Sequence, residues 1–187
     1  AEFSASASLA SLPADVIHRT RFLVLDLVGN IVRARHSSDS TPSVLSAVEA
    51  LGLAPGDARV FADTGGYGPA GAALVNSTLS HSLDFDDTHA AGTLHPGAPV
   101  IPAALAAGEM VKASGAEVVA AIVAGYEVTC RLALALPAGD HYQRGYHPTA
   151  TCGVFGAAAA AGRVFGLDSA GIASALVSHS QPAQVSG

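Results

Sequence analysis

The chain has 187 residues and a mass of 18.5 kDa, with a formal net charge of −6 and 13% charged residues. This charge excludes a basic nucleic-acid footprint, and a hydrophobic fraction of 50% with a mean hydropathy of +0.40 excludes a disordered chain. Aromatic residues make up 5% and tryptophan is absent, so the core must consist of small aliphatic side chains, which favours closely packed helices.

The first ten residues lack the basic and apolar regions of a signal peptide, and we expect residues 1–10 to be a disordered leader or vector-derived. Helical periodicity then predicts a helix from Ser11, as N-cap, to about Arg35. Further helices are predicted over 41–52, 70–83, 98–113, 116–136, 149–165 and 169–179, with a short extended piece at 58–62 and no strand pairs. The sequence therefore predicts an all-α helical bundle with two polar loops.

Two features bear on compartment and membrane. Cys130 and Cys152 form neither a CxxC motif nor a disulfide framework, which predicts a reducing, cytoplasmic compartment. The longest apolar stretch, 118–136, is interrupted by Glu127 and Arg131. Charges in the middle of a span are costly, so we expect no membrane crossing.

The first polar loop is the densest ionisable cluster of the chain. Histidine transfers protons near neutral pH, and a neighbouring carboxylate fixes its tautomer, so this composition predicts acid–base chemistry. Asp84 and Thr88 are four residues apart, and a single helical turn would place them on one face. The ionisable residues of the loop are His81, Asp84, Asp86, Asp87, His89 and His95.

Two alternatives remain open for this loop. The carboxylates can be a solvated turn in which Asp86 or Asp87 caps the next turn. They can also hold a metal ion, although no HExxH, HxH or CxxC spacing supports this. The metal hypothesis uses His81, Asp84, Asp87 and His89.

The second polar loop runs from Asp140 to Thr149. If Thr149 caps the following helix, His147 lies just before a helix N-terminus, where free amides favour a carboxylate. Arg144 can bind a carboxylate with two parallel hydrogen bonds, whereas His141 and Tyr142 fit ordinary loop residues better. The sequence contains no GxGxxG or Walker pattern, and we expect the GVFG string from Gly153 to mark close helix packing and Cys152 to be an inert buried thiol.

Several strings, taken together and in order, resemble the MmgE/PrpD family. The resemblance runs from about residue 12 to the last residue and rests on the combination of motifs. They are NSTLSHSLDFDDTH from Asn76, HPG from His95, GYE from Gly125 with Arg131 after it, GYHPT from Gly145, GVFGAAAA from Gly153, and SQPAQVSG from Ser180 to Gly187.

The resemblance implies a large helical domain that shares its active site with a smaller α+β lid. It implies enzymes that act on small polycarboxylates, such as 2-methylcitrate dehydratase, cis-aconitate decarboxylase and iminodisuccinate epimerase, without metal or other cofactor, and usually as homodimers. The family also uses a lysine that lies beyond Gly187. Residues 11–187 are therefore expected to be the N-terminal portion of the helical domain, without the lid. The active-site candidates carried over by motif are Asp84, Thr88, His95 and His147, to which we add Arg144 and Gln181 for substrate binding.

The first functional hypothesis is a lyase or isomerase of di- or tricarboxylates, foremost a 2-methylcitrate dehydratase-like enzyme. In it, His95 and His147 transfer protons or bind carboxylates, Asp84 orients a histidine, and Thr88 hydrogen-bonds the substrate. Decarboxylation like that of cis-aconitate decarboxylase, and epimerisation, are alternatives. Two hypotheses of other classes are a non-catalytic helical fragment or dimerisation module and a metal-dependent hydrolase. The expected partners are a small polycarboxylate and a second copy of the chain, with no nucleic acid and no membrane.

Overall fold

The computed structural model of the chain describes residues 1–180, in which nine α-helices and one small sheet are found. The all-α fold class predicted from the sequence is confirmed. The long helices lie within a few residues of their predicted ranges. In chain order, the elements are α1 (Glu2–Ser6), α2 (Ala14–Ser37), α3 (Ser40–Ala50), β1 (Ala58–Arg59), β2 (Gly66–Tyr67), α4 (Pro69–His81), α5 (Gly97–Val111), α6 (Gly115–Ala135), α7 (Ala138–Gln143), α8 (Pro148–Val164) and α9 (Ser169–Ser180).

Helix α5 is the centre of the bundle, because it contacts α2, α4, α6 and α8. Its residues Val100 and Ile101 are fully buried. Helix α2 packs on α4, and α9 packs on α8. Among the described residues, the largest fully buried side chains are leucines and isoleucines, so the expected small aliphatic core is confirmed. They include Leu27, Ile31, Leu79, Leu94, Ile101, Ile122 and Ile172.

Helices α6 and α8 approach so closely that glycine is required at their contact. A Cβ atom at Gly156 would collide with the Thr129 hydroxyl and lie 2.6 Å from the carbonyl oxygen of Gly125. A Cβ atom at Gly153 would lie 2.5 Å from Cγ of Pro99 on α5. The GVFG string therefore packs helices, as predicted, and brings the start of α8 against the start of α5.

The N-terminal segment differs from the expectation of a disordered leader. Residues Glu2–Ser6 form α1, and Ser4 and Ala7 are buried. The carbonyl oxygen of Ala7 accepts a 2.7 Å hydrogen bond from Nε of Arg163 on α8, which joins the segment to the bundle. The first long helix also begins later than predicted, because Ser11 is hydrogen-bonded to Ser8 within a short 3₁₀ turn.

The pairing of two short strands and a short helix in the second polar loop were not predicted. Strands β1 and β2 pair antiparallel, with Ala58 opposite Tyr67, so the expectation of no strand pairs is wrong. Two residues per strand are too few to show alternation, and an α4 side chain stabilises the pair: Asn76 donates to the carbonyl of Arg59 and accepts from the amide of Phe61. Helix α7, six residues long, lies in the second polar loop and is too short for a helical period to be visible.

Helix α6 is long and apolar enough, by length and composition, to cross a membrane. In the structure it packs on α8 and α5, with Ala120, Ala121 and Ala124 fully buried. Nearer its C-terminal end Arg131 pairs with Glu127 one turn earlier, and the Arg131 side chain is 78% exposed. A charged pair at mid-span is costly in lipid, so the position of α6 fits a helix at the edge of a globular core.

The contact between α6 and α8 gives a stability prediction. We expect Gly156→Ala to lower the free energy of unfolding by about 1–3 kcal/mol, because the added methyl group overpacks the contact. Gly29→Ala is the matched control: Gly29 lies inside α2 with open space around it, so alanine should raise the free energy of unfolding by about 0.5–1 kcal/mol. Urea unfolding of both variants measures the difference, and equal stabilities would contradict the packing described above.

Candidate active site

The first polar loop turns sharply after α4, and Asp84 is the residue that makes the turn. Its backbone has φ of +56°, a left-handed conformation that Asp tolerates better than most residues, and its amide donates to the carbonyl of His81 at 3.0 Å. The loop therefore folds back and places Asp86 against His81. Residues 84–88 do not form the helical turn considered for Asp84 and Thr88.

Asp86 is the buried carboxylate of the site, with a side chain that is 0% exposed. Nδ1 of His81 lies 3.0 Å and 3.1 Å from its two carboxylate oxygens. Nδ1 of His95 lies 3.5 Å from Oδ1 of the same carboxylate. One buried carboxylate thus serves two imidazoles, and the interpretation of Asp86 as the cap of a solvated turn is wrong.

His95 joins the two polar loops. Its backbone amide donates to the Thr149 hydroxyl at 2.9 Å, and its Nε2 lies 3.7 Å from Oδ1 of Asp84. The Asp84 side chain is 80% exposed, whereas the His95 side chain is 19% exposed. Nδ1 of His95 is buried without a hydrogen bond of standard length. Each ring nitrogen of His95 therefore has a carboxylate nearby.

His147 is the N-cap of α8, the position that the sequence analysis gave to Thr149. Its Nδ1 accepts a 3.2 Å hydrogen bond from the amide of Thr149, so the neutral ring carries its proton on Nε2. The hydroxyl of Tyr142 lies 3.5 Å from that Nε2. Partial burial, and secondly the neighbouring His81 and His95, lower the pKa of His147 below its ordinary value.

The two loops bring three imidazoles together. The ring centroid of His81 lies 4.8 Å from that of His95 and 6.3 Å from that of His147, and His95 and His147 are 6.5 Å apart. His81 and His147 line an open cavity of about 1010 Å³ between α4, α5 and α8. Its walls are largely small and apolar, including Ala73, Ala98 and Ala157. His95 stands behind the cavity, against Asp86.

Two of the candidate residues, Thr88 and Arg144, do not contact this group of histidines and carboxylates. Thr88 lines a separate cavity of about 570 Å³ with Asp87 and Tyr126. Arg144 is exposed at the end of α7, and its side chain has no hydrogen bond or ion pair with the part of the chain that the structure describes. Gln181 lies outside the described residues. The structure therefore brings together His95, His147 and Asp84. It adds His81, which the sequence had suggested only as a metal ligand, and Asp86, which it had suggested only as a cap.

Asp87 fixes the loop to the bundle. Its carboxylate accepts hydrogen bonds from the Tyr126 hydroxyl at 3.0 Å and from the amide of Gly97 at 3.1 Å. Burial raises the pKa of Asp87, and burial also raises the pKa of Tyr126, with the Asp87 charge as a further cause. This contact anchors the loop at the start of α5 and in the middle of α6, and it occupies Asp87 structurally.

Four side chains lie close enough together to hold a metal ion, but they are not the four that the sequence had suggested. Ligand atoms of His81, Asp84, Asp86 and His95 lie within 4.8 Å of one another. Asp87 is bound to Tyr126, and Nδ1 of His89 accepts from the amide of Gly92, so neither belongs to the group. The bond between His81 and Asp86 would have to break for both to bind one ion through these atoms. An acid–base role uses the bond as it stands.

The cysteines do not supply a nucleophile here. Both are free, and Cys152 is 1% exposed on α8, as predicted. Burial raises the pKa of the Cys130 thiol to about 11, and burial also raises the pKa of Cys152. Both thiols are therefore protonated at neutral pH, when a thiol is a poor nucleophile.

The fold and the site define a helical domain with a histidine–carboxylate centre at the edge of a cavity. Comparison with known families agrees: the family model of the MmgE/PrpD N-terminal domain matches residues 1–184. The chain belongs to the MmgE/PrpD family.

Among curated relatives, the chain is similar to cis-aconitate decarboxylases. It is 30% identical to that of Aspergillus terreus over 164 residues, which cover 83% of this chain and 32% of the relative. It is 37% identical to the human cis-aconitate decarboxylase over 118 residues, 59% of this chain and 24% of the relative. A cis-aconitate decarboxylase-like protein of Aspergillus oryzae is 29% identical over 84% of the chain. The chain spans about a third of the length of the Aspergillus relatives.

The environment of His147 gives a titration prediction. We expect a His147 pKa below the ordinary 6.5, measured by NMR on selectively ¹⁵N-labelled histidines. An unfolded chain then binds more protons than the folded one just below pH 6.5, so this contribution to stability is present above that pH and is lost as the pH falls. In His147→Asn, which keeps an N-cap acceptor without titrating, this part of the pH dependence should disappear. A pKa at or above 6.5 would refute the assignment.

Proposed function

We propose that the protein containing this chain is a lyase that acts on small polycarboxylates by acid–base chemistry without a metal. The observation that carries the proposal is the group of three imidazoles, two of which lie against a buried carboxylate, next to a cavity large enough for such an acid. The names of the relatives support the substrate class, because cis-aconitate is a tricarboxylate.

The hydrogen-bond partners of His95 and His147 suggest a different role for each. His147 keeps its proton on Nε2 while Nδ1 accepts from Thr149, so it donates a hydrogen bond to a carboxylate or to a developing enolate oxygen. Giving that proton away entirely would leave an imidazolate, which is unfavourable. His95 has carboxylates near both ring nitrogens, and we assign it to proton transfer or to carboxylate binding on the opposite side.

The reaction that we place first is dehydration of a hydroxy-tricarboxylate such as 2-methylcitrate. Decarboxylation of cis-aconitate is the second candidate, and the relatives' names favour it. Both reactions move a proton at a carbon next to a carboxylate, which is what the imidazole group can do. A cytoplasmic location belongs to the proposal and is supported by the two free cysteines.

The activity test uses the complete protein with 2-methylcitrate and cis-aconitate, following formation of the unsaturated acid and of carbon dioxide. We expect His95→Ala and His147→Ala each to lower kcat by about 100-fold or more, because each removes an imidazole to which proton transfer or hydrogen bonding is assigned above. Asp57→Asn is the control: Asp57 is exposed just before β1 and makes none of the contacts described for the site, so this variant should retain full turnover.

Undiminished turnover in both site variants would overturn the proposal. Stoichiometric bound zinc, with activity lost on chelation, would favour the metal-dependent alternative. Assaying residues 1–187 in parallel tests the fragment hypothesis, since turnover comparable to that of the complete protein would reject a non-catalytic fragment.

We also propose a homodimer, and α2 offers the surface. Phe22, Leu25 and Val32 lie three and seven positions apart on one side of this helix and are 54%, 66% and 40% exposed. Light scattering of the complete protein should give a dimer mass, and Leu25→Glu should shift it toward the monomer. Leu51→Glu, at an equally exposed leucine after α3, is the matched control and should stay dimeric. A monomeric wild-type protein would contradict this arrangement.

A further inference from the structure

We propose that His81 is the imidazole that exchanges a proton with the substrate carbon, and that the buried Asp86 is its positioning residue. This inference rests on the function proposed above and adds two residues to it. The motif analysis gave the orienting role to Asp84, whose carboxylate is 80% exposed. Asp86, with a side chain that is 0% exposed, is the carboxylate that the structure aims at an imidazole.

The bond to Asp86 fixes the state of the His81 ring. Nδ1 lies within 3.1 Å of both carboxylate oxygens, and an ionised carboxylate can only accept, so Nδ1 carries the proton. Nε2 then keeps its lone pair. His81 is 39% exposed and lines the cavity of about 1010 Å³, so this free nitrogen belongs to a ring that a substrate can reach. A carboxylate behind an imidazole also stabilises the imidazolium that forms when Nε2 takes a proton.

His147 has the opposite tautomer, and it lines the same cavity as His81. Its Nδ1 accepts from Thr149, so its Nε2 donates, whereas Nε2 of His81 accepts. The two rings are 6.3 Å apart and nearly perpendicular, at 75°. The pair therefore offers one proton acceptor and one hydrogen-bond donor to a single bound molecule.

The proposed step moves one proton from the substrate carbon to His81. Nε2 of His81 forms a bond to the proton on the carbon next to a substrate carboxylate, and the C–H bond breaks. Its electron pair becomes the enolate of that carboxylate, whose oxygen accepts a hydrogen bond from Nε2–H of His147. The charge on the resulting imidazolium is opposed by Asp86. In the reverse direction the imidazolium of His81 returns the proton to carbon.

A second observation supports Asp86 as a shared support. Nδ1 of His95 is buried, lies 3.5 Å from the same Oδ1, and has no hydrogen bond of standard length. His81 is therefore hydrogen-bonded to the carboxylate, whereas His95 lies farther from it. With His95 only 19% exposed behind the cavity, this geometry favours carboxylate binding for His95 and proton transfer for His81.

The decisive measurement does not depend on activity. In the complete protein with ¹⁵N-labelled histidines, long-range ¹H–¹⁵N correlation at pH 7.5 identifies which ring nitrogen carries the proton, and His81→Gln assigns the signal. We expect His81 in the Nδ1–H form, which is the minor form of free histidine, and loss of that form in Asp86→Asn. An Nε2–H form in the wild type overturns the proposal, even if no polycarboxylate is turned over.

The kinetic measurement uses the substrate that the wild type converts. We expect His81→Gln to lower kcat by about 100-fold or more with KM changed less than about threefold, and to stop deuterium incorporation at the substrate carbon in D₂O. Asp86→Asn should lower kcat to a similar extent, as loss of the orienting carboxylate does in a hydrolase triad. Asp57→Asn, at an exposed position before β1, should keep the wild-type rate.

Turnover of His81→Gln within about threefold of the wild type, while His95→Ala is inactive, overturns the role of His81. Thermal melting of each variant shows whether it is folded. Because Asp86 is buried, its replacement can destabilise the chain, and the half-exposed His81 then provides the deciding variant.

Discussion

The buried carboxylate of Asp86 is the interaction on which the site depends. A charge without access to water is costly unless nearby groups compensate for it, and here those groups are imidazole nitrogens of His81 and His95. One histidine ends α4 and the other precedes α5, so the carboxylate also fixes the relation between these two helices. Because the compensating groups are the imidazoles that we propose to react, one contact meets the electrostatic requirement of the fold and arranges the proposed site.

The close packing of small residues places the second loop against the first. Glycines at positions 153 and 156 let α8 approach α5 and α6, and the start of α8 carries His147 and Thr149. The hydroxyl of Thr149 then accepts a hydrogen bond from the amide of His95, a residue fifty-four positions earlier in the sequence. Among the described residues, the largest fully buried side chains include no aromatic ring. Larger side chains between α8 and its neighbours would move the two polar loops apart.

The histidines differ in state because each has a different neighbour. A carboxylate accepts from Nδ1 of His81, whereas a backbone amide donates to Nδ1 of His147. These partners assign opposite tautomers to two rings that share a cavity. Proton transfer next to a carboxylate needs an acceptor and a donor of this kind, and membership of the MmgE/PrpD family agrees with such chemistry.

The sequence by itself determined the all-α class, the long helices, the packing role of the GVFG string and the two polar loops, because periodicity, end signals and composition are local properties. It also selected His95 and His147 through their motifs. Only the tertiary structure showed that His81 and Asp86 lie beside His95, that Thr88 lines a separate cavity, and that His147 instead of Thr149 caps α8. Those outcomes depend on one left-handed residue, Asp84, and on contacts between residues far apart in the chain, which no local pattern records.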